Sequence, residues 1–151
     1  MENKILIRKV KEEDLVSLYE IEKTLEDSWS FNILRDDFLG NNFSSYFLAE
    51  KDGEILGFIA LMNVAGEIHI NNIAVDQNYR RQGIGQRLLT YGLNYFAKEK
   101  LIGYTLEVRE DNLAAINLYE KLGFIKVGLR KNYYKNNKAA LIMWKLIEEN
   151  L

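Results

Sequence analysis

The apolar residues of this chain follow two spacings, one typical of strands and one of helices. Alternating and β-branched runs predict seven strands, over residues 5–10, 46–51, 54–63, 67–75, 104–108, 124–129 and 139–146. Apolar residues three and four positions apart predict four helices, over 12–25, 31–40, after Gly83 and after Asn112. Tight turns at Asp52-Gly53 and Ala65-Gly66 predict that the strands they join are antiparallel.

The order of these elements predicts the fold class. A strand, a helix and a strand in series from residue 67 to 108 indicate a right-handed parallel crossover. No repeat, low-complexity segment or linker divides the chain. We therefore expect one α/β (α+β) domain over residues 1–151, with a mixed, mostly antiparallel seven-stranded sheet flanked by about four helices.

Composition excludes several classes of function. The net charge is −2, so bulk electrostatics indicates neither a nucleic-acid nor a membrane partner. The chain has no cysteine and one histidine, which excludes disulfides, a thiolate nucleophile and Cys- or His-rich metal sites. No signal segment and no apolar run of roughly 20 residues is present. We expect a cytoplasmic protein without a metal, as a monomer or a homodimer.

The stretch from Asn71 to Leu89 predicts an anion site. A strand is followed by a loop with Arg80 and Arg81, and Gly83 then opens a helix. A helix start presents unpartnered N–H groups and about half a positive charge, and glycine lets a phosphate approach the backbone. The pattern lacks the lysine of a Walker loop and the third glycine of a Rossmann fingerprint. A pyrophosphate site and a purely structural glycine turn are both consistent with these residues.

Two longer strings carry a family resemblance. Arg-x-x-Gly-x-Gly after Ile-Ala-Val-Asp, at residues 73–85, resembles the acetyl-CoA-binding motif of the GCN5-related N-acetyltransferase (GNAT) superfamily. Asn-x-x-Ala-x-x-Leu-Tyr-x-x-x-Gly-Phe, at 112–124, resembles the end of the GNAT core. Leu-Glu-Val-Arg at 106–109 and Arg-x-x-Tyr-Tyr at 130–134 are similar to RimI-like ribosomal-protein alanine N-acetyltransferases. The resemblance is weak before residue 67.

The resemblance implies a set of cofactor-binding residues for acetyl-CoA (coenzyme A). They are Ile73, Ala74, Val75, Arg80, Arg81, Gln82, Gly83, Ile84, Gly85, Gln86, Asn112 and Tyr119. Asn112 is also a natural helix N-cap, and one side-chain oxygen suffices for that role. The backbone N–H of Val75 is expected to stabilise the oxyanion, at a place where its strand parts from the strand that holds Glu107. The polar pair Asn71-Asn72 fits a bulge there.

The resemblance assigns Glu107 as the general base and Tyr119 as the proton donor to the leaving thiolate. Glu107 lies at the carboxyl end of its strand, where open α/β sheets bind ligands. The alternative for Glu107 is a surface glutamate paired with Arg109. The alternative for Tyr119 is a core aromatic residue on the same helix stripe as Ile116 and Leu122.

The acceptor side is predicted less sharply. Trp29 resembles part of an aromatic-Ser loop of RimI-like proteins, although Ser28 replaces the usual proline before it. Tyr133 and Tyr134 complete the tyrosine-bearing loop 130–137. His69 shares a strand face with Glu67 and is either structural or an auxiliary base.

These observations favour direct acetyl transfer from acetyl-CoA to a primary amine in a ternary complex, because no cysteine can form an acyl-enzyme. The expected acceptor is a protein N-terminal α-amine, such as that of a ribosomal protein. A lysine side chain or small amine, and a catalytically silent acyl-CoA-binding module, are the alternatives.

Overall fold

The protein is described by a computed structural model that covers residues 4–134 and 137–147. The strands are β1 (Leu6–Lys9), β2 (Ser44–Lys51), β3 (Glu54–Val64), β4 (Glu67–Val75), β5 (Gly103–Arg109), β6 (Ile125–Arg130) and β7 (Ala140–Leu146). The helices are α1 (Leu15–Glu22), α2 (Phe31–Gly40), α3 (Ile84–Tyr95) and α4 (Leu113–Lys121). The predicted fold class, with seven strands and four helices, is confirmed.

The sheet has the strand order β1-β2-β3-β4-β5-β7-β6. β4 and β5 pair in parallel through the α3 crossover, and the other neighbouring strands pair antiparallel. Asp52 and Gly53 both have positive φ, 53° and 80°, as the predicted two-residue hairpin turn between β2 and β3 requires. The sheet therefore consists of an antiparallel unit β1–β4 and an antiparallel unit β5–β7, joined along β4 and β5.

Both faces of the central strands are buried. One face packs against α3 and α4 through a cluster that includes Phe47, Ile59, Leu88 and Phe124. The other face packs against α1 and α2 through a second cluster, which includes Leu18, Leu34, Leu48 and Phe58. This arrangement explains why β2 and β3 read as nearly continuous apolar runs, and it places the helices on both sides of the gap described below.

The first helix is shorter than the predicted range 12–25. Residues Glu12–Asp14 form a 3₁₀ turn, and α1 begins at Leu15. The Asp14 carboxylate turns back to accept hydrogen bonds from the Lys11 N–H at 2.7 Å and from both terminal nitrogens of Arg8 at 2.9 and 3.0 Å. These contacts hold the chain entry in a conformation that the helical period did not reveal.

One prediction extends beyond the described residues. The predicted loop 130–137 includes residues 135 and 136, which lie outside the described residues, and its first residue, Arg130, ends β6. Along residues 4–134 and 137–147, no helix combines the length and apolar character needed to cross a bilayer.

Candidate active site

The parallel strands β4 and β5 separate partway along their length. Their pairing runs from Glu67 opposite Gly103 to Ile70 opposite Leu106 and ends there. β4 continues to Val75 beside β3, and β5 continues to Arg109 beside β7. A gap therefore opens between the carboxyl ends of the two strands, at the edge where α/β sheets bind ligands.

A bulge in β4 lies where this gap begins. Ala60 of β3 lies opposite Asn72, and the next residue of β3, Leu61, lies opposite Ile70, so Asn71 is an extra residue in β4. A bulge bends its strand and increases the local twist, which turns the end of β4 away from β5. The predicted bulge at Asn71-Asn72 is confirmed.

The end of β4 directs backbone groups into the gap. The N–H of Asp76 donates to the C=O of Leu56 in β3 at 2.8 Å. Hydrogen-bonded residues alternate along an antiparallel pair, so the N–H and C=O of Val75 point away from β3. The Nε of Arg80 donates to this C=O of Val75 at 3.3 Å, which leaves the N–H beside it directed toward the gap.

The arginine loop joins β4 to α3 and lies at the surface. Arg80, Arg81, Gln82 and Gly83 are exposed, and Ile84 behind them is buried. Gly83 caps α3 with φ 78°, and a Cβ built on it would have no heavy atom within 4 Å. The space beside Gly83 is therefore open, and Gly83 has no side chain to cap the first N–H groups of α3. Such a helix start binds anions.

Two further contacts define the limits of this loop. Gln86, in the first turn of α3, accepts a hydrogen bond from Lys121 of α4 at 3.3 Å. Arg87, which is close to the loop in sequence, donates instead to the C=O of Ile5 at 3.3 Å. The candidate cations at the start of α3 are therefore Arg80 and Arg81, and Arg87 is not one of them.

A cavity of about 740 Å³ lies on the α1–α2 side of the gap. Its walls come from the loop between α1 and α2, from β4, β5 and β7, and from the residues after β6. It includes the predicted site residues Trp29, His69, Ile73, Glu107, Asn112, Tyr119, Tyr133 and Tyr134. The remaining predicted cofactor residues line the arginine loop and the end of β4 instead. The predicted residues thus form two adjoining groups that meet at the gap.

Glu107 projects from β5 into this cavity. Its Oε1 lies 3.1 Å from Nη2 of Arg130, at the end of β6. Its Oε2 is buried and has no hydrogen-bond partner among the described residues. The alternative of a charge pair with Arg109 is wrong, because Arg109 contacts Glu26 at 2.9 Å, Asp27 at 3.2 Å and Asp111 at 2.6 Å.

Tyr119 belongs to both the core and the cavity. Its side chain is 5% exposed, and its ring centroid lies 5.9 Å from that of Phe124. Burial raises the pKa of the Tyr119 hydroxyl well above its ordinary value, so the hydroxyl keeps its proton at neutral pH. Asn112 directly precedes α4, and its side-chain oxygen accepts the N–H of Ala115 at 3.2 Å, which confirms its N-cap role.

The predicted acceptor residues surround the opening of the cavity. Nε2 of His69 lies 3.6 Å from Glu67, which confirms that the two share a strand face. The rings of Tyr133 and Tyr134 meet edge to face at 5.0 Å, and the Arg130 guanidinium lies 5.0 Å above Tyr133. Burial raises the pKa of Tyr134 to about 12. Trp29 is half-buried in the loop between α1 and α2.

Sequence reasoning missed the roles of several charged residues of the cavity, of which Glu22 and Arg130 make the contacts that matter most here. Glu22 of α1 is 1% exposed and lines the cavity wall, and Arg130 pairs with Glu107. Glu22 carries a signal in the sequence, because it follows Leu15 and Leu18 on the buried stripe of α1 and is charged where the spacing demands an apolar residue. Arg130 belongs to the Arg-x-x-Tyr-Tyr string, but nothing in that string indicates its pairing with Glu107, which is 23 positions away on another strand.

Comparison with known proteins agrees with this geometry. The model of the acetyltransferase (GNAT) family matches residues 12–124. A putative [ribosomal protein bS18]-alanine N-acetyltransferase of Bacillus subtilis is 34% identical over 151 residues, covering 99% of this chain and 100% of that protein. The [ribosomal protein bS18]-alanine N-acetyltransferase of Escherichia coli K12 is 36% identical over 135 residues, covering 86% of this chain and 89% of that protein.

The fold supports the same relationship. The crystal structure of the ribosomal-protein-S18-alanine N-acetyltransferase from Escherichia coli superposes with a TM-score of 0.88 at 32% identity, covering 98% of this chain and 99% of that one. Acetyltransferases of the matched family take their acetyl group from acetyl-CoA. The predictions of family, fold and reaction class are confirmed, and the chain belongs to the GNAT acetyltransferase family, as a RimI-like N-acetyltransferase.

Proposed function

We propose that this chain transfers the acetyl group of acetyl-CoA to the α-amine at the N-terminus of a protein, in a ternary complex without an acyl-enzyme. The observation that carries the proposal is the gap between β4 and β5, which adjoins an uncapped, arginine-flanked helix start on one side and the cavity with Glu107 and Tyr119 on the other.

The start of α3 fits the pyrophosphate of coenzyme A. Gly83, at the start of the helix, has open space where a Cβ would lie, and Arg80 and Arg81 are exposed nearby. A Cβ on Gly85 would make only ordinary contacts, at 3.8 Å to Leu118 and Val75. Packing within the protein therefore does not require glycine at position 85, whereas close approach of a phosphate does. We propose that the loop residues 80–86 bind the cofactor, with Ile73, Ala74 and Val75 along the gap.

The reaction joins the acceptor nitrogen to the thioester carbonyl carbon and breaks the bond between that carbon and sulfur. The bound cofactor supplies the activated acetyl group. We assign Glu107 as the base that accepts the acceptor's proton, directly or through a water molecule. Arg130 holds one oxygen of this carboxylate, and the other oxygen is buried without a hydrogen-bond partner in the described part of the chain. General-base help of this kind contributes about 10²–10⁴-fold.

The carbonyl oxygen gains negative charge as the nitrogen attacks. We assign the N–H of Val75 to stabilise that charge, because its direction away from β3 leaves it available in the gap. We assign Tyr119 to donate its O–H toward the departing sulfur. Burial raises the pKa of Tyr119 and so keeps the hydroxyl protonated, but it also makes the hydroxyl a weaker acid, so Tyr119 gives the sulfur a hydrogen bond first and its proton only as the carbon–sulfur bond breaks.

The acceptor class follows from the state of the amine. An α-amine has a pKa of about 7.7–8.0 and a lysine side chain about 10.4, so near pH 7.5 about a third of the former and about one in a thousand of the latter is neutral. A single carboxylate base therefore suits an α-amine better than a lysine side chain. The two relatives are named for an alanine of ribosomal protein bS18. We therefore propose an N-terminal alanine of a ribosomal protein, bound beside Trp29, His69, Tyr133 and Tyr134.

The test is a thiol-release assay with matched acceptors. The first peptide begins with alanine and has a free N-terminus. The second has the same sequence with an internal lysine, and its N-terminus is acetylated so that the lysine side chain is its only amine. We expect free thiol to appear with the first peptide and not with the second. Release with the second peptide or with a polyamine would reassign the acceptor.

A parallel binding measurement separates an enzyme from a silent binder. Acetyl-CoA at a hundred times its dissociation constant should raise the free energy of unfolding by about 2.7 kcal/mol, whereas ATP should not. Stabilisation without thiol release from any acceptor would identify a catalytically silent acyl-CoA-binding module.

A further inference from the structure

A buried carboxylate bridges the loop that carries Trp29 and the end of β4. Oε2 of Glu22 accepts the backbone N–H of Trp29 at 2.8 Å, and Oε1 accepts Nδ2 of Asn72 at 2.9 Å. Glu22 itself belongs to α1, so three separate segments meet at one side chain. The side chain lines the cavity and is 1% exposed.

Asn72 lies next to the part of β4 that faces the gap. Asn72 directly follows the bulged residue Asn71 and precedes Ile73 and Val75, whose backbone groups face the gap. A displacement at Asn72 therefore changes the part of β4 that lies along the gap. The same carboxylate fixes the backbone of Trp29, which lies on the acceptor side of the cavity.

A second contact ties the same loop to the other strand of the gap. Arg109, at the end of β5, binds Glu26 and Asp27 of the loop and Asp111 after β5. The loop between α1 and α2 thus crosses the gap and is attached to β4 through Glu22 and to β5 through Arg109. The attachment to β5 is exposed and screened by salt, whereas the attachment to β4 is buried.

A carboxylate at this place is costly unless it serves both donors. Burial raises the pKa of Glu22, and the hydrogen bonds from Trp29 and Asn72 oppose that shift. A buried leucine would fill the space without this cost, but it would leave the Trp29 N–H without an acceptor and would not contact Asn72 through a hydrogen bond.

We propose that Glu22 is a positioning residue for the acceptor, which holds the Trp29 loop in register with the gap-facing end of β4 by accepting hydrogen bonds from both segments. It acts through Trp29 and β4 and takes no proton in the reaction. The inference rests on the proposed function, since it assigns Trp29 to the acceptor and the end of β4 to the reacting carbonyl.

The experiment exchanges the carboxylate and the amide between positions 22 and 72. Asn72→Asp removes the donor to Glu22 and places two carboxylates against each other. Glu22→Gln in the Asn72→Asp background restores one donor and one acceptor: the introduced amide nitrogen faces the introduced carboxylate, and the amide oxygen still accepts from Trp29. Asn72→Ala removes the donor without adding charge and serves if Asn72→Asp does not fold.

Two readouts separate this inference from the proposed function. Protection of the Trp29 amide against hydrogen exchange reports the contact itself in the free enzyme and needs no acceptor. We expect protection to fall by about tenfold in Asn72→Asp and to return in the double variant, as coupled neighbours do. Unchanged Trp29 protection in both Asn72→Asp and Asn72→Ala would overturn the coupling between the Trp29 loop and β4.

The kinetic readout tests the role. We expect kcat/KM for the alanine peptide to fall by about tenfold in Asn72→Asp and to recover in the double variant. The dissociation constant of acetyl-CoA should change less than kcat/KM, because loop residues 80–86, which we propose bind its pyrophosphate, lie beyond the end of β4. Altered protection with kcat/KM unchanged would overturn the positioning role and leave a structural contact. A wild-type chain that acetylates no peptide N-terminus would refute the proposed function instead, while the exchange result on Trp29 would still stand.

Discussion

The guanidinium of Arg130 lies 3.1 Å from one oxygen of Glu107, and the second oxygen of that carboxylate is buried with no hydrogen-bond partner among residues 4–134 and 137–147. A buried acceptor without a donor costs about 1–3 kcal/mol, so proteins satisfy nearly all such groups. The fixed oxygen orients the carboxylate, and the unsatisfied oxygen is the atom that an ammonium group or a water molecule would contact.

The first prediction concerns this oxygen. Glu107→Gln keeps the shape of the side chain but removes its basicity, and we expect kcat to fall by about 10²-fold or more. The affinity for acetyl-CoA, measured by calorimetry, should not change. The matched control is Glu110→Gln, an exposed residue just beyond β5. A kcat for Glu107→Gln equal to that of the wild type would reassign the base, with His69 as the next candidate.

The second prediction concerns the arginine loop. Arg80→Ala and Arg81→Ala each remove a charged donor near the start of α3, and we expect each to weaken acetyl-CoA binding by about tenfold. The difference from wild type should narrow at high salt, because the lost contacts are exposed ion pairs. Calorimetric titration at two salt concentrations provides the measurement.

Arg87→Ala is the control for the loop variants. Its guanidinium donates to the C=O of Ile5, so its removal should leave the affinity unchanged. Equal weakening by Arg87→Ala would mean that net charge, and not the loop, determines binding.

The third prediction distinguishes two buried tyrosines. Tyr119→Phe keeps the ring beside Phe124 and removes the proposed donor, so we expect kcat to fall by about 10²-fold with little loss of stability. Tyr104→Phe removes a hydroxyl that donates to the C=O of Leu93 at 2.7 Å, so stability should fall by about 1 kcal/mol with kcat unchanged. Steady-state kinetics and urea denaturation of both variants measure the contrast. Similar kinetic defects in the two would contradict the role of Tyr119.

The fourth prediction concerns acid stability. The hydrogen bonds from Arg8 hold the pKa of Asp14 below its ordinary value. A carboxylate with a lowered folded-state pKa stabilises the protein above its unfolded pKa of about 3.9, and this stabilisation is lost as the pH falls through the folded-state value. Asp14→Asn should therefore lower the free energy of unfolding by about 1–3 kcal/mol at pH 7, and the difference from wild type should shrink toward pH 3.

The control for acid stability is another aspartate–arginine pair. Asp36 lies 3.3 Å from Arg35, and both side chains are exposed. Asp36→Asn should change stability by no more than about 0.5 kcal/mol at either pH. Urea denaturation of both variants at pH 7 and pH 3 makes the comparison, and a pH-independent loss in Asp14→Asn would exclude the ion pair as its cause.

The sequence predicted the elements whose signals are local. The bounds of β4 and the N-cap at Asn112 follow from residues within a few positions, and the structure confirms them. The strand–helix–strand series from 67 to 108 likewise required the parallel crossover.

The contacts that complete the cavity come from distant segments, and periodicity does not report them. Asn72 and Glu22 are 50 positions apart, yet their side chains meet at 2.9 Å. Proximity in sequence offers Arg109, two residues away on the same strand face, as an alternative partner of Glu107, but Arg109 is occupied by three acidic groups from the loop and the following turn. Only the tertiary arrangement decides between Arg109 and Arg130.

The short joint between β4 and β5 has a mechanical consequence. The two antiparallel units of the sheet share only the pairing from Glu67 to Ile70 with Gly103 to Leu106 along that joint. A molecule bound in the gap would contact both units and so add a second connection between them. Occupancy should therefore make the two units open together, so that slow-exchanging amides of β3 and β7 gain protection in parallel when acetyl-CoA is added.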